Sequence, residues 1–340
     1  MLRVGVFRFG LLWLISLVAC KNDGSVLDEH YIKLEQPKGF PAITHELANE
    51  LTDSRITLGK KLFYETRLSA NNSISCGSCH KADFAFADPM ALSKGINNQT
   101  VFRNTQPLFN LAWNTHFFRD GGVNRLHLAA LNPIQNPAEF DNNLLEIVKR
   151  LQSDNAYLSL FNKAYNDGIS GNNLLHALAC FQLSMISGNS NYDKYVNGAS
   201  TALNEAEKRG MQLFFSERTG CNSCHTAPLF TNRAFKSNGF FSEYADSGRQ
   251  RITMLESDRG LFSVPSLRNI AFTAPYMHNG SIKTLDEIIA TYNHGGSTFT
   301  NKDSLIRPLN LSNTERADLV AFLNALSDPT FIIDKRFKPD

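Results

Sequence analysis

Two copies of the pentapeptide Cys-x-x-Cys-His, 145 residues apart, constrain this chain more than any other feature. The copies span residues 76–80 and 221–225. This pentapeptide is the attachment signature of a c-type haem: both thiols form thioethers with the porphyrin, and the histidine becomes an axial ligand of the iron. The sequence therefore predicts two covalent haem c groups, one held by Cys76, Cys79 and His80 and the other by Cys221, Cys224 and His225.

The context of these cysteines separates haem attachment from other uses of paired thiols. Zinc ribbons also contain Cys-x-x-Cys pairs, but those pairs lie about 15–20 residues apart, much closer than here. Thioredoxin-like redox pairs need a strand–helix–strand context, which neither pentapeptide has. Disulfides would suit an exported protein, but this spacing argues against them. Cys180 lies within an apolar helical pattern and is predicted to be a buried thiol.

Each pentapeptide follows a helical stretch that ends in Gly-x-x-Leu-Phe, at residues 59–63 and again at residues 210–214. A unit that recurs in this way indicates an internal repeat of one structural module. We therefore expect two domains of related design, residues 41–198 and residues 199–340, since 340 residues are enough for two separate cores.

The pattern outside the pentapeptides is helical. Apolar residues recur with a helical period over residues 144–151, and Asp141 stands where an N-cap is expected. Ser312 and Glu315 have the spacing of a capping box. Because no segment alternates apolar and polar residues at length, the predicted fold class is mainly α, with two cytochrome c-like haem domains and long loops.

The first nineteen residues have the features of an export signal. Arg3 and Arg8 flank its start, and the apolar run from Leu11 to Val18 is too short to span a bilayer comfortably. Residues 17–20 resemble the lipobox of bacterial lipoproteins, which implies cleavage before Cys20 and a lipid on its sulfur. The alternative is an uncleaved anchor, or a signal in which the cysteine carries no lipid.

These features predict a signal peptide at residues 1–19, a lipid-attached tether at residues 20–40 and a periplasmic protein held at a membrane. Lys21 stands where a signal for retention at the inner membrane usually has Asp, which favours the outer membrane. The whole chain has a formal net charge of +2, and removal of the signal brings it close to neutral. Without a basic block, nucleic acid is not an expected partner.

Shorter motifs accompany the pentapeptides in a fixed order: Arg103-Asn104-Thr105, Phe118-Arg119-Asp120-Gly121, Pro133 with Glu139, Leu267-Arg268-Asn269-Ile270 and the segment Thr273–Gly280. In this order, from residue 57 to residue 326, the chain resembles the bacterial di-haem cytochrome c peroxidases and the related MauG-type enzyme that matures methylamine dehydrogenase. The resemblance implies that the first haem is the peroxide-reactive site and that the second transfers electrons.

The resemblance also assigns roles around the first haem. In family members that need reductive activation, a loop after this haem supplies a removable distal histidine. The matching loop here, residues 93–97, has none, and the next histidine, His116, belongs to the following motif. We therefore expect a first iron that is five-coordinate or water-bound. Glu139 matches the distal carboxylate, which can move a proton between the peroxide oxygens, so Glu139 and His80 are the expected catalytic residues.

The second haem has a different expected ligand from that of typical peroxidases. Where those proteins have Met, this chain has Tyr292, as in the MauG pattern. The resemblance therefore implies a phenolate ligand, which favours ferric and higher-valent iron, whereas a thioether raises the potential. Met277, His278 and His294 are the alternative ligands.

Two departures from the family pattern lie near the haems. Arg119 stands where members usually have a tryptophan between the haems, and Ala129 replaces a glutamine. Transfer between the haems would then use another aromatic residue or the haem edges, and Arg119 is expected to pair with a haem propionate. The family also holds a calcium ion between its domains. The matching oxygen ligands are the side chain of Asn104 and the carbonyl groups of Thr273 and Pro275.

The resemblance implies a peroxidase that reduces hydrogen peroxide to water with electrons from a small donor protein, a cytochrome c or a cupredoxin. A MauG-like oxidase that modifies a partner protein is a second candidate, which Tyr292 favours and Arg119 disfavours. A di-haem electron-transfer lipoprotein is a third, in which Glu139 would be incidental. The sequence does not choose between a monomer and a homodimer.

Overall fold

The computed structural model describes residues 1–2, 31–43 and 51–339. Within these ranges the chain forms fourteen α-helices: α1 (Asp53–Phe63), α2 (Cys76–Cys79), α3 (Leu126–Ala129), α4 (Leu131–Gln135), α5 (Leu144–Gln152), α6 (Asn155–Ala164), α7 (Gly171–Ser184), α8 (Asn191–Val196), α9 (Glu205–Phe215), α10 (Cys221–Cys224), α11 (Gln250–Thr253), α12 (Leu285–His294), α13 (Asn313–Asn324) and α14 (Pro329–Ile332). The mainly α prediction is therefore confirmed.

Extended structure is short in these ranges. Strand β1 (Phe235–Lys236) pairs antiparallel with β2 (Phe262–Ser263), and Phe235 lies opposite Ser263. The loops contain single turns of 3-10 helix at Thr66–Leu68, Ala82–Phe84, Ile96–Asn98, Leu111–Trp113, Glu256–Asp258, Ile270–Phe272 and Lys335–Phe337.

Side-chain caps determine where several helices begin. Ser312 accepts a hydrogen bond from the backbone N–H of Glu315 at 3.2 Å, and Glu315 accepts one from the N–H of Ser312 at 2.8 Å, so the predicted capping box is present. The expected cap of α5 was wrong. Asn143, not Asp141, accepts the bond from the N–H of Glu146, because Asp141 lies two residues earlier in a left-handed conformation (φ 49°).

The Gly-x-x-Leu-Phe signature marks two closely packed helix pairs, α1 with α7 and α9 with α13. A Cβ atom at Gly59 would overlap the carbonyl oxygen of Ala177, and one at Gly210 would overlap that of Asp318. Only glycine lets the backbones approach so closely. The two helix pairs have the same construction, and each leads into one Cys-x-x-Cys-His segment.

Each helix pair belongs to its own apolar core. The core around α1, α5, α6 and α7 contains Leu58, Leu62, Phe63, Ile147, Phe161, Leu178 and Phe181, and the core around α9, α12 and α13 contains Phe214, Phe230, Ile288, Leu319, Phe322 and Leu326. A third cluster contains Phe40, Leu51, Trp113, Cys180 and Leu183. Cys180 is fully buried there, as predicted.

The structure also shows a second repeat, which the sequence did not reveal. Two loops of the same construction occur at positions that differ by 159 residues. Asn110 and Asn269 are both left-handed (φ 54° and 57°), and each precedes a 3-10 turn. Each turn is followed by an antiparallel bridge, between Phe117 and Val123 in the first half and between Tyr276 and Ile282 in the second. These paired loops lie where the two halves of the chain meet.

The two halves exchange equivalent backbone hydrogen bonds at this boundary. The N–H of Asn104 donates to the carbonyl of His278 at 2.8 Å, and the N–H of Ser263 donates to the carbonyl of Arg119 at 2.7 Å. Ser263 and His278 each lie 159 positions after their counterparts Asn104 and Arg119. The boundary is therefore pseudo-symmetric at the level of single hydrogen bonds.

The predicted signal peptide and Cys20 lie outside the described residues. The later part of the expected tether is described from residue 31 and packs on the folded chain: the N–H of Ile32 donates to the carbonyl of Leu51 at 2.8 Å, and Phe40 meets Trp113 edge to face at 5.2 Å. No helix in the described part of the chain is long and apolar enough to cross a membrane.

Candidate haem sites

The first Cys-x-x-Cys-His segment forms the single turn α2, followed by His80. Cys76 and Cys79 are free thiols, and both line one cavity together with His80. The hydroxyl of Ser78 accepts a hydrogen bond from the N–H of Ser75 at 3.0 Å, which stabilises the start of the turn. The turn therefore presents two thiols and an imidazole to the same space, as covalent haem attachment requires.

His80 is oriented by the backbone of the next loop. Its Nδ1 lies 2.8 Å from the carbonyl oxygen of Phe86, a buried residue with a left-handed backbone (φ 62°). Burial lowers the pKa of His80 despite hydrogen bonds with the carbonyls of Phe86 and Gln106. A neutral ring that donates from Nδ1 offers Nε2 as the ligand atom.

The cavity beside His80 has a volume of about 490 Å³ and is lined by both halves of the chain. The first half contributes Glu139 and Arg119, and the second contributes Arg233 and Ser263. His116 also lines it and hydrogen-bonds through Nε2 to the hydroxyl of Ser263 at 2.8 Å.

Glu139 is held between a side chain and a tightly packed loop. Its carboxylate accepts a hydrogen bond from Asn136 at 2.7 Å, and its carbonyl accepts one from the N–H of Ile96 at 2.9 Å. A Cβ atom at Gly95 would overlap the carbonyl of Ala138, so the loop that lacks a histidine lies directly against the Glu139 segment. Burial raises the pKa of Glu139, although the bond from Asn136 opposes this.

The second Cys-x-x-Cys-His segment repeats this design. Helix α10 starts after the left-handed Gly220 (φ 64°), and Cys221 and Cys224 are free thiols. Nδ1 of His225 lies 3.2 Å from the carbonyl oxygen of Phe230 and 3.1 Å from that of Pro265. Burial lowers the pKa of His225 to about 4, so this ring is also neutral and suited to binding iron.

Tyr292 lies beside the second pair of thiols. It packs in the same apolar core as Cys221 and meets Phe240 edge to face at 5.1 Å. Burial raises the pKa of Tyr292 above its usual range, and a hydrogen bond with Asn238 opposes that increase. In the polypeptide alone the group is therefore a phenol, and a bound ferric ion would favour the phenolate.

Of the three alternative ligands of the second haem, Met277 is placed about as well as Tyr292, and the two histidines are placed less well. Met277 packs in the same core, and its sulfur accepts a hydrogen bond from Asn238 at 3.4 Å. His278 stacks on Phe262 at 4.4 Å, and His294 is exposed at the end of α12. The packing favours Tyr292 or Met277 over the two histidines.

Arg119 and Asn104, which the sequence assigned to different sites, contact each other. Nη2 of Arg119 donates to Oδ1 of Asn104 at 2.9 Å, and the same guanidinium donates to the carbonyl of Asn104 at 3.3 Å and 3.4 Å. Burial and the neighbouring Arg103 lower the pKa of Arg119 to about 10. Thr273 and Pro275, the other expected calcium ligands, lie on the loop between the turn Ile270–Phe272 and the bridge at Tyr276.

The structure adds residues that sequence reasoning missed. Arg103 bonds to Asp246 at 2.5 Å and 2.8 Å and to Asp120 at 2.7 Å. The Phe-Arg-Asp-Gly motif pointed to Asp120, but Asp246 lies in a loop that contains no recognisable motif. Asn238, which hydrogen-bonds with Tyr292, had no signal either.

Comparison with known proteins agrees with this geometry. Residues 53–201 match the sequence profile of the di-haem cytochrome c peroxidase family. The methylamine utilization protein MauG of Methylorubrum extorquens is 33% identical over 298 residues, which cover 86% of this chain and 83% of that protein. This chain belongs to the di-haem cytochrome c peroxidase family. The predictions of the family and of a peroxidase-type oxidoreductase are confirmed, and membership implies two c-type haems.

Both branches of the family are represented among the relatives. Cytochrome-c peroxidase IdrP1 of Pseudomonas sp. strain SCT is 31% identical, over 85% of this chain and 84% of that protein. The crystal structure of a MauG-like protein associated with microbial copper homeostasis superposes with a TM-score of 0.86 at 32% identity, and covers 90% of this chain and 99% of that one. The family places such proteins in the periplasm.

Proposed function

We propose that this protein reduces hydrogen peroxide to water at the first haem site, with electrons that a small periplasmic cytochrome c or cupredoxin delivers through the second. The observation that carries the proposal is the position of Glu139, a half-buried carboxylate that lines the same cavity as Cys76, Cys79 and His80. An electron-transfer protein without catalysis has no need of a carboxylate in this cavity, because partly withdrawing such a group from water is unfavourable.

Glu139 is the proposed general acid–base. Reduction of one hydrogen peroxide takes two electrons and two protons and yields two water molecules. Heterolytic cleavage of the O–O bond requires that the proton of one oxygen move to the other oxygen, which leaves as water. When bound, the two haem groups would supply the two electrons for cleavage of the O–O bond, and the donor protein would restore them. The carboxylate of Glu139, oriented by Asn136 at 2.7 Å, takes the proton from one oxygen and returns it to the other.

The loop at residues 93–97 keeps the site accessible in the ferric protein. It contributes no histidine, and Gly95 allows it to pack against the backbone of Ala138 and Glu139. We therefore propose a first iron that is five-coordinate or water-bound and reacts with peroxide without prior reduction.

At the second haem site, we propose that His225 and the phenolate of Tyr292 would hold the iron. Tyr292 packs in the core that contains Cys221, and Asn238 hydrogen-bonds with it. Arg119 lines the cavity beside Cys76, and we propose that its remaining N–H groups pair with a haem propionate. A calcium ion is not part of this proposal, because the side-chain oxygen it would use accepts a hydrogen bond from Arg119.

The location in the cell is proposed from the first twenty-one residues. The apolar run and the lipobox-like segment before Cys20 support export, cleavage and a lipid anchor in the periplasm, and Lys21 supports the outer membrane.

The test is peroxide turnover by the all-ferric holoprotein with a reduced cytochrome c as donor. The wild-type protein should consume peroxide without a reductive lag. Glu139→Gln should keep both haems and lower turnover by about 10²–10⁴-fold, whereas Glu146→Gln, at an exposed position on α5, should match the wild type. Equal turnover in Glu139→Gln and wild type would exclude the acid–base role, and turnover only after partial reduction would exclude the open first iron.

Modification of a partner protein is the second candidate, because the position of Tyr292 and the similarity to two MauG-type proteins favour it. Its signature would be a long-lived oxidised state after addition of peroxide that does not react with reduced cytochromes.

A further inference from the structure

The contact between Arg119 and the buried Asn104 lies at the boundary of the two halves. The N–H of Asn104 donates to the carbonyl of His278, and the carbonyl of Arg119 accepts from the N–H of Ser263. One residue pair from the first half is thus bonded to two segments of the second half. The resemblance implies a calcium ion between the domains, which makes this boundary the place to test for one.

The side chain of Asn104 is not oriented to bind a metal ion. Its Nδ2 points to the carbonyls of Met90 and Ala91, at 3.4 Å and 3.2 Å, which directs Oδ1 toward the guanidinium of Arg119. Calcium needs six to eight oxygen ligands at about 2.3–2.6 Å. A guanidinium that donates to both oxygens of Asn104 occupies the space on that side, so these residues do not fit calcium.

The charges nearby also disfavour a divalent cation. Arg103 lies close enough to Arg119 to lower its pKa. The two carboxylates at this boundary, Asp120 and Asp246, are already bound by Arg103, and Arg251 lies 3.4 Å from Asp120.

We propose that the guanidinium of Arg119 replaces the inter-domain calcium ion of the family. It supplies a positive charge to the oxygens of Asn104 as part of the chain, and a side chain cannot dissociate or be removed by a chelator. The backbone bonds of Asn104 and Arg119 then connect this fixed cation to His278 and Ser263 of the second half. The boundary between the halves is therefore independent of calcium.

The test measures bound metal and thermal unfolding of the holoprotein, and does not depend on peroxide turnover. After treatment with a chelator and then with excess calcium, the wild type should contain no stoichiometric calcium, and its Tm should be the same in calcium and in chelator. In chelator, the Tm of Arg119→Gln should be at least about 4 °C lower than that of the wild type. In excess calcium, this variant should bind one calcium per chain and recover most of the lost Tm.

Two further variants keep the proposal testable if Arg119→Gln does not fold. Arg119→Lys keeps a cation and should fold, bind no calcium and stay within about 4 °C of the wild-type Tm. Arg251→Gln, which removes a guanidinium beside Asp120 without touching Asn104, should gain no calcium. Stoichiometric calcium in the wild type or in Arg119→Lys would overturn the proposal. So would an Arg119→Gln protein that unfolds like the wild type in chelator, or one that calcium does not restore.

Discussion

The ion pair between Asp193 and Arg268 is the strongest stability prediction that the structure allows. Arg268 is 1% exposed and donates to both carboxylate oxygens of Asp193 at 2.8 Å. Its Nε donates to the carbonyl of Pro228 at 2.7 Å, and its guanidinium lies 4.5 Å from the ring centroid of Phe40. The pair therefore joins helix α8, the loop after the second haem-binding turn and the amino-terminal segment.

Asp193→Asn keeps the size of the side chain and removes its charge. It leaves a buried guanidinium without a counterion, and removing one partner of a buried pair costs about 3–5 kcal/mol. Because 1 kcal/mol shifts Tm by about 2–4 °C in proteins of moderate size, the Tm should fall by roughly 6 °C or more. The carbonyl of Phe230, two residues after Pro228, accepts the bond from His225, so the absorption of the second haem should change as well.

Thermal unfolding of the holoprotein, followed by circular dichroism and by haem absorbance, measures this loss. The matched control is Asp334→Asn, because Arg336 in that ion pair is 79% exposed and exposed pairs contribute about 0–1 kcal/mol. A Tm for Asp193→Asn within about 2 °C of the wild type, or a loss no larger than in the control, would refute the reasoning.

The ion pair between Asp193 and Arg268 also determines how the stability of the protein changes with pH. Burial opposes ionisation of Asp193, but the hydrogen bonds from Arg268 outweigh burial and lower the pKa of Asp193. A carboxylate whose pKa is lower in the folded state contributes stability above its unfolded pKa, about 3.9, and loses it as the pH falls through the folded pKa. The difference in unfolding free energy between wild type and Asp193→Asn should therefore be largest near neutral pH and shrink in acid.

Three other substitutions test the haem sites separately. Tyr292→Phe should change the ferric EPR and visible spectra of the second haem only, because it removes the proposed phenolate; unaltered spectra would exclude this ligand. Gly59→Ala and Gly210→Ala should each destabilise the protein by about 1–3 kcal/mol, because the new methyl group meets the carbonyl of Ala177 or Asp318. Each should perturb the spectrum of the haem in its own half, and wild-type Tm values in both variants would contradict the close helix packing.

Features carried by contiguous residues were predictable from the sequence. The haem-binding turns, the Gly-x-x-Leu-Phe helices and the capping box at Ser312 each depend on residues within about five positions, so their spacing is visible in the chain. The misplaced cap of α5 shows the limit of such patterns: Asp141 and Asn143 both suit an N-cap, and backbone conformation, which the pattern does not encode, selects Asn143.

Contacts between distant segments could not be predicted in this way. Asn238 reaches Tyr292 across 54 positions, and Arg103 reaches Asp246 across 143. Polar residues in loops have no periodicity that would indicate their partners. For the same reason the sequence assigned Arg119 to a propionate and Asn104 to calcium, although the two side chains bond to each other.

The internal repeat explains why the reactive cavity lies at the boundary of the halves. The loops that contain Arg119 and His278 are equivalent, and each offers its carbonyl to the N–H of a residue in the other half, at 2.7 Å and 2.8 Å. Such an exchange can form only if both loops face the same boundary. Equivalent positions then diverged, with a guanidinium in one loop and an imidazole stacked on Phe262 in the other. A pseudo-symmetric scaffold therefore surrounds two unlike candidate haem sites, and in our proposal the half with Glu139 meets peroxide and the half with Tyr292 exchanges electrons.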